Sequence, residues 1–130
     1  MNPTLSLTRK KILIADDEAN IRLLVRSTLE DEDMYQIIEA VDGQEALDQI
    51  RTNGPEIAIL DLMMPRVSGL DVLEELRKHP PKRRPVVVVL TAKVNEEQRA
   101  LAAGADEFLR KPFSPLQLMD AVEKALDMRG

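Results

Sequence analysis

The chain has 130 residues, 44% of them hydrophobic, with a net charge of −5 and a pI of about 5.0. That suits one globular domain with a core of its own, and it argues against a general nucleic-acid-binding surface, which needs an excess of Lys and Arg. The absence of cysteine and the single histidine, His79, exclude disulfides, thiolate chemistry, a catalytic triad and a multi-histidine metal site.

Residues 1–9, "MNPTLSLTR", show no period and are expected to form a loose arm before a domain spanning 10–128. "KILIADD" reads as a strand over Lys11–Ala15 that ends in acids. A helix follows, with Ile21, Leu24, Val25, Thr28 and Leu29 at helical spacing. "YQIIEA" is a short strand. "VDGQEALDQIRTNGP" is a helix with Asp42 as N-cap and Glu45 three residues on, in a capping-box pattern, and Gly54–Pro55 stop it. "EIAILDL" is the third strand. "SGLDVLEELRKH" is a helix capped by Ser68, with Leu70, Leu73 and Leu76 on one face. "PVVVVLTA" is the fourth strand, and "NEEQRALAAG" a helix capped by Asn95 and closed by Gly104. "DEFLRKP" holds a short fifth strand. "SPLQLMDAVEKALDM" is the last helix, with Ser114 as cap and Pro115 at its first position.

Five strands alternate with five helices. "IAIL" and "VVVVL" are continuously apolar, so both sheet faces must be covered, as in a parallel sheet with helices on either side. "RKHPPKRRP", residues 77–85, packs five basic residues and three prolines into nine positions. It reads as a solvated loop entering the fourth strand, at the sheet edge opposite the chemistry.

In an open α/β sheet, ligands bind beyond the C-terminal ends of the strands. There the first strand delivers Asp16 and Asp17, the third Asp61, the fourth Thr91 and the fifth Lys111. Asp16, Asp17 and Asp61 carry −3 when ionised, and Lys111 offsets only +1. Crowded carboxylates raise one another's pKa or recruit a cation. Oxygen-only ligation selects a hard ion, so Mg²⁺ is the expected cofactor. A metal-neutralised aspartate beside a hydroxyl and an ammonium is suited to accepting a phosphoryl group, whose charge Mg²⁺, Thr91 and Lys111 would share.

The pieces "ILIADDE", "AILDLMMPRVSGLDVL", "VVVLTA" and "GADEFLRKPF", taken as a spaced set, resemble the receiver domains of two-component response regulators from about Lys10 to Leu126. The resemblance implies a flavodoxin-like, doubly wound (βα)5 α/β fold with its parallel strands in order 2-1-3-4-5. It implies Asp61 as phosphoacceptor, Asp16 and Asp17 as the magnesium pair with the Met63 carbonyl as a further ligand, and Thr91 and Lys111 as switch and phosphate-contacting residues. It also puts Phe108 at the switch aromatic, Pro65 and Gly69 in the loop after the phosphoacceptor, and Pro112 at a proline usually preceded by a cis bond. Met64 and the Met63 side chain, Tyr35 and Phe113 read as packing.

Two other classes fit the chain less well. A haloacid-dehalogenase-like phosphatase needs a second acid two residues after its aspartate, where this chain has Met63. A flavodoxin-like cofactor binder needs a phosphate loop rich in Ser, Thr and Gly where "ADDEAN" is acidic. The expected role is thus a signalling receiver rather than an enzyme acting on other molecules. It would be phosphorylated on Asp61 by a sensor histidine kinase or phosphotransfer protein, and change the face built from helix 95–103, the strand at Phe108 and helix 115–128. A downstream protein effector or fused output domain would read that face. With no apolar run of membrane length, no signal peptide and only three aromatic residues, direct nucleic-acid binding and membrane partners are not expected, and a cytoplasmic location is. The places of two dimer-pairing arginines found in receivers fused to winged-helix domains hold Ala121 and Glu123, which argues against that dimer type.

Overall fold

The computed structural model describes residues 9–31, 33–93 and 95–129. The arm expected over residues 1–9 lies outside them except for Arg9. Ten elements alternate: β1 (Lys10–Ala15), α1 (Ala19–Leu29), β2 (Tyr35–Ala40), α2 (Gly43–Asn53), β3 (Ile57–Asp61), α3 (Gly69–Lys78), β4 (Val86–Thr91), α4 (Glu96–Ala102), β5 (Glu107–Arg110) and α5 (Pro115–Arg129). The strands form one parallel sheet in order β2-β1-β3-β4-β5, a flavodoxin-like arrangement.

The continuous apolar runs follow from burial on both faces. Side chains alternate across a strand. Leu13, Ala58, Leu60, Val87 and Val89 meet Ala46, Ile50, Val72, Leu73 and Ala100 of α2, α3 and α4. Ile12, Ile14, Ile57, Ile59, Val88 and Leu90 meet Val25, Leu29, Leu118, Val122 and Ala125 of α1 and α5. β3 and β4 are buried at every residue, so an aspartate ending β3 has little water to draw on.

The helix starts are built as their caps require, with two differences. Ser68 and Asp71 form a reciprocal capping box, and Ser114 does the same with Gln117. Asp42 accepts from Glu45 N at 2.9 Å, but the Glu45 carboxylate reaches back to Val41 N instead of Asp42 N. Asn95 makes no side-chain cap bond, because its own backbone is already in the helical region (φ −72°, ψ −8°), where a capping side chain cannot reach forward. Gly54 takes φ +55° and ends α2, as the sequence suggests.

The basic stretch 77–85 is exposed at all but Pro81 and Pro85, as its composition implies, yet two of its arginines are engaged. Arg77 donates to Ala102 O at 2.8 Å, and Arg84 to Gly104 O, Pro85 O and the Asp106 carboxylate. These guanidinium groups satisfy carbonyls at the end of α4 and tie it to the entry of β4.

Candidate functional site

Strand register brings the acids together. Ala15 pairs with Leu60 across β1 and β3, so the next residues, Asp16 and Asp61, leave the sheet side by side. Each follows by two positions an isoleucine on the same face, Ile14 and Ile59. Each carboxylate folds back on its own turn: Asp16 Oδ1 accepts from Glu18 N at 2.9 Å, and Asp61 Oδ1 from Met63 N at 3.1 Å. Arg22 steadies the β1 end by donating to Asp16 O at 2.9 Å, while Glu39 of β2 holds the same guanidinium at 2.9 Å.

Lys111 enters from the far side of the sheet. Its backbone N–H bonds Thr91 O at 2.8 Å, continuing the β4–β5 pairing past β5. Its ammonium then lies 2.9 Å from Asp16 Oδ2, 3.3 Å from Asp61 Oδ2 and 3.3 Å from Glu18 Oε1. One cation thus serves three carboxylates, two of them buried. Burial pushes the Asp61 carboxyl up to about 6; the Met63 N–H opposes this, the Asp16 charge adds to it and Lys111 pulls it down. Burial lowers the Lys111 pKa, but contact with Asp16 and the charges of Asp61 and Asp16 outweigh that and hold it above its ordinary value.

The charge imbalance leaves room for a cation. Asp16 Oδ2, despite its contact with Lys111, has no hydrogen bond of acceptable direction and is the one orphaned buried side-chain oxygen or nitrogen among the described residues. Oxygens of Asp16, Glu18 and Asp61 lie within 4.8 Å of one another. A set of oxygens with a surplus of negative charge fits Mg²⁺, which takes one or two carboxylates and completes its octahedron with water and a phosphate.

The expected residues do not all sit in the same way. Asp16, Asp61 and Lys111 are in contact. Asp17 is exposed and stands outside the cluster that Asp16 and Asp61 form with Glu18. Glu18 joins Asp16 and Asp61, and the sequence marks it only as the third acid of "DDE". Thr91 is buried, and its hydroxyl is turned into its own loop, donating to Lys93 O at 3.0 Å and accepting from Lys93 N at 3.2 Å. Phe108 is half-buried on β5, opposite Val89. The Met63 side chain is 65% exposed, so it does not pack as expected, whereas Met64 is buried. Phe113 is buried and Tyr35 half-buried against the α1/α5 layer, and the Lys111–Pro112 bond is cis.

The loop after Asp61 is held against the strand end. A Cβ on Gly69 would lie 2.4 Å from Asp61 O and 2.9 Å from Leu62 Cα, so only glycine allows this approach. Gly69 N donates to Leu62 O at 3.2 Å and Leu62 N to Leu90 O at 3.1 Å.

Comparison with known proteins agrees with this geometry. Residues 12–123 match the family described as the response regulator receiver domain. The alkaline phosphatase synthesis transcriptional regulatory protein PhoP of Bacillus subtilis is 39% identical over 119 residues, 90% of this chain and 48% of that protein. The phosphate regulon transcriptional regulatory protein PhoB of Escherichia coli is 36% identical over 93% of this chain and 58% of its own length. The chain thus spans about half the length of the curated relatives it matches. Among solved structures, the receiver domain of the Francisella response regulator 1452 is 31% identical with a TM-score of 0.83, covering 94% of this chain and all of that one. The chemotaxis response regulator CheY4 of Vibrio cholerae is 30% identical with a TM-score of 0.82, covering 91% and 99%. The chain belongs to the response regulator receiver domain family.

Proposed function

We propose that this receiver domain accepts a phosphoryl group on Asp61 from a phosphohistidine of a sensor histidine kinase or phosphotransfer protein, with Mg²⁺ as cofactor. The observation that carries the reading is the buried Asp61 carboxylate in contact with Lys111 and flanked by Asp16 and Glu18 oxygens. An Asp61 oxygen attacks phosphorus, the P–N bond breaks with its electron pair leaving on the imidazole nitrogen, and an acyl phosphate forms. Lys111, already placed between Asp61 and Asp16, stays charged through the transfer and faces the developing negative charge. Asp16, Asp17, Asp61 and the main-chain oxygen of Met63 would hold Mg²⁺, with Glu18 beside them. The ion, when bound, neutralises the carboxylates and the incoming phosphoryl oxygens. The Met63 N–H keeps Asp61 Oδ1 fixed and leaves the Oδ2 side to react.

The signal then leaves through Thr91. Its hydroxyl spends both hydrogen bonds on Lys93, so a phosphoryl group offering new acceptors competes directly with the β4–α4 loop. Moving Thr91 opens space behind it for Phe108 and remodels the face of α4, β5 and α5. That face presents Lys93, Arg99, Gln117 and Asp120, and Arg110 ties β5 to Glu97 of α4 at 2.8 Å. A protein effector or an output module of the same chain is the proposed reader. Of the two places read for dimer-pairing arginines, Ala121 is buried against the sheet and Glu123 is exposed and acidic.

Chemical-shift mapping with and without beryllofluoride and Mg²⁺ tests the whole reading. Changes at Asp61, Thr91 and Lys111 that extend to Phe108 and the α4–β5–α5 face are expected. Changes confined to the site loops would remove the switch, and no change at the site would remove the phosphoacceptor.

A further inference from the structure

The loop 62–68 that carries Met63 is fastened at a second place, away from the carboxylates. Arg66 stands in the left-handed region at φ +65°, the one non-glycine residue to do so among the described residues. Such a conformation persists in a side-chain-bearing residue only when its surroundings hold it. Here the Arg66 guanidinium pairs with Asp42 Oδ2 at the start of α2. The Asp42 side chain is 5% exposed and the Arg66 side chain 75%, so the buried partner is the anchor and the exposed one the strap. The next residue continues the contact: Val67 O accepts from Gly43 N at 2.9 Å, and a Cβ on Gly43 would lie 2.3 Å from that oxygen. The other Asp42 oxygen is the N-cap of α2, bonded to Glu45 N. The loop is therefore fixed at Asp61 and Leu62 on one side and at Asp42 and Gly43 on the other, with Met63 between.

We propose that Arg66 and Asp42 are positioning residues for the phosphoryl-transfer site. Their ion pair ties the loop to the start of α2 and so holds the Met63 main chain where its N–H meets Asp61 and where its carbonyl would serve Mg²⁺. This rests on the reading of Asp61 and Met63 given above. Partners that orient a ligand from outside the ligand set change metal affinity by about 10–100-fold when removed. The Arg66 guanidinium pairs with Asp42 and makes no hydrogen bond or ion pair with Asp16, Glu18 or Asp61, so its effect runs through the loop alone.

The test is Mg²⁺ titration of the full chain, followed by isothermal calorimetry and by the amide shift of Met63, for wild type and four variants. Arg66→Gly removes the guanidinium and relieves the backbone. Asp42→Asn keeps a capping oxygen but loses the charge. Arg66→Lys keeps a cation. Both removals are expected to weaken Mg²⁺ binding about tenfold and to speed amide exchange over residues 63–67. The double variant should be no weaker than either single one, and Arg66→Lys should recover most of the loss. Unchanged Mg²⁺ affinity in Arg66→Gly and Asp42→Asn, or losses that add in the double variant, would overturn the strap while leaving Asp61 as phosphoacceptor. Wild-type protein that binds no Mg²⁺ would overturn the underlying site instead.

Discussion

Lys111 Nζ lies 3.3 Å from Asp61 Oδ2, and Asp16 Oδ2 is closer to the same ammonium, at 2.9 Å. The lysine is therefore shared, and neither carboxylate is fully compensated. This under-compensation links the stability of the domain to the proposed Mg²⁺ dependence and the proposed phosphoacceptor role of Asp61.

Asp61 should make stability depend on pH in an unusual direction. A carboxyl whose folded pKa is raised binds its proton more tightly when folded. Its contribution is full below the unfolded value, near 3.9, and is lost as pH rises through about 6. One pKa step is worth about 1.4 kcal/mol, so the cost at pH 7.5 is on the order of 1–3 kcal/mol. Asp61→Asn is expected to raise the denaturant midpoint at pH 7.5 and to flatten the profile between pH 4 and 7. Equal midpoints for both proteins across that range would contradict it.

Lys111→Ala leaves Asp16, Glu18 and Asp61 without their cation. Removing one partner of a buried ion pair costs about 3–5 kcal/mol; the Asp61 carboxyl, already raised by burial, protonates at low pH, so the loss should be larger at pH 7.5 than at pH 5. Added Mg²⁺ should restore more stability to this variant than to the wild type. Denaturant midpoints with and without the ion provide the check, and a loss that is insensitive to both pH and Mg²⁺ would speak against a shared cation.

Gly69→Ala places a methyl group 2.4 Å from the Asp61 carbonyl oxygen. Overpacking of this kind costs about 1–3 kcal/mol, and relief requires the end of β3 to shift. Thermal unfolding should show the loss, and phosphoryl uptake from a small donor should slow with it. A variant as stable and as fast as wild type would mean that the loop yields freely.

Thr91→Ala removes two hydrogen bonds to Lys93 and should cost about 1–2 kcal/mol. It should retain phosphorylation and lose the shift at Phe108. Loss of phosphorylation itself would make Thr91 part of the transfer step rather than the switch.

Much of this was legible in the chain. The apolar runs before Asp16, Asp61 and Thr91 announce strands buried on both faces, and charged residues at the ends of such strands have few other reasons to be there. What escaped depends on contacts between distant parts of the chain. Glu18 joins the site because Lys111, 93 residues away, reaches it. Asn95 looks like a cap by residue type, but its backbone is already helical. Arg66 sits in a loop whose sequence, "MPRVSG", carries no mark of the positive φ or of its partner Asp42. The Met63 side chain reads as core because it is apolar, yet it stands in solvent while its neighbour Met64 is buried.

The phosphoacceptor role of Asp61 is tested most directly by locating the phosphoryl group. The protein is incubated with Mg²⁺ and phosphoramidate, reduced with borohydride to trap any acyl phosphate, digested and sequenced by mass spectrometry. The expected result is a single reduced position at Asp61, absent without Mg²⁺ and absent in Asp61→Asn. A trapped position at another residue in the wild type, or unchanged uptake by Asp61→Asn, would contradict it.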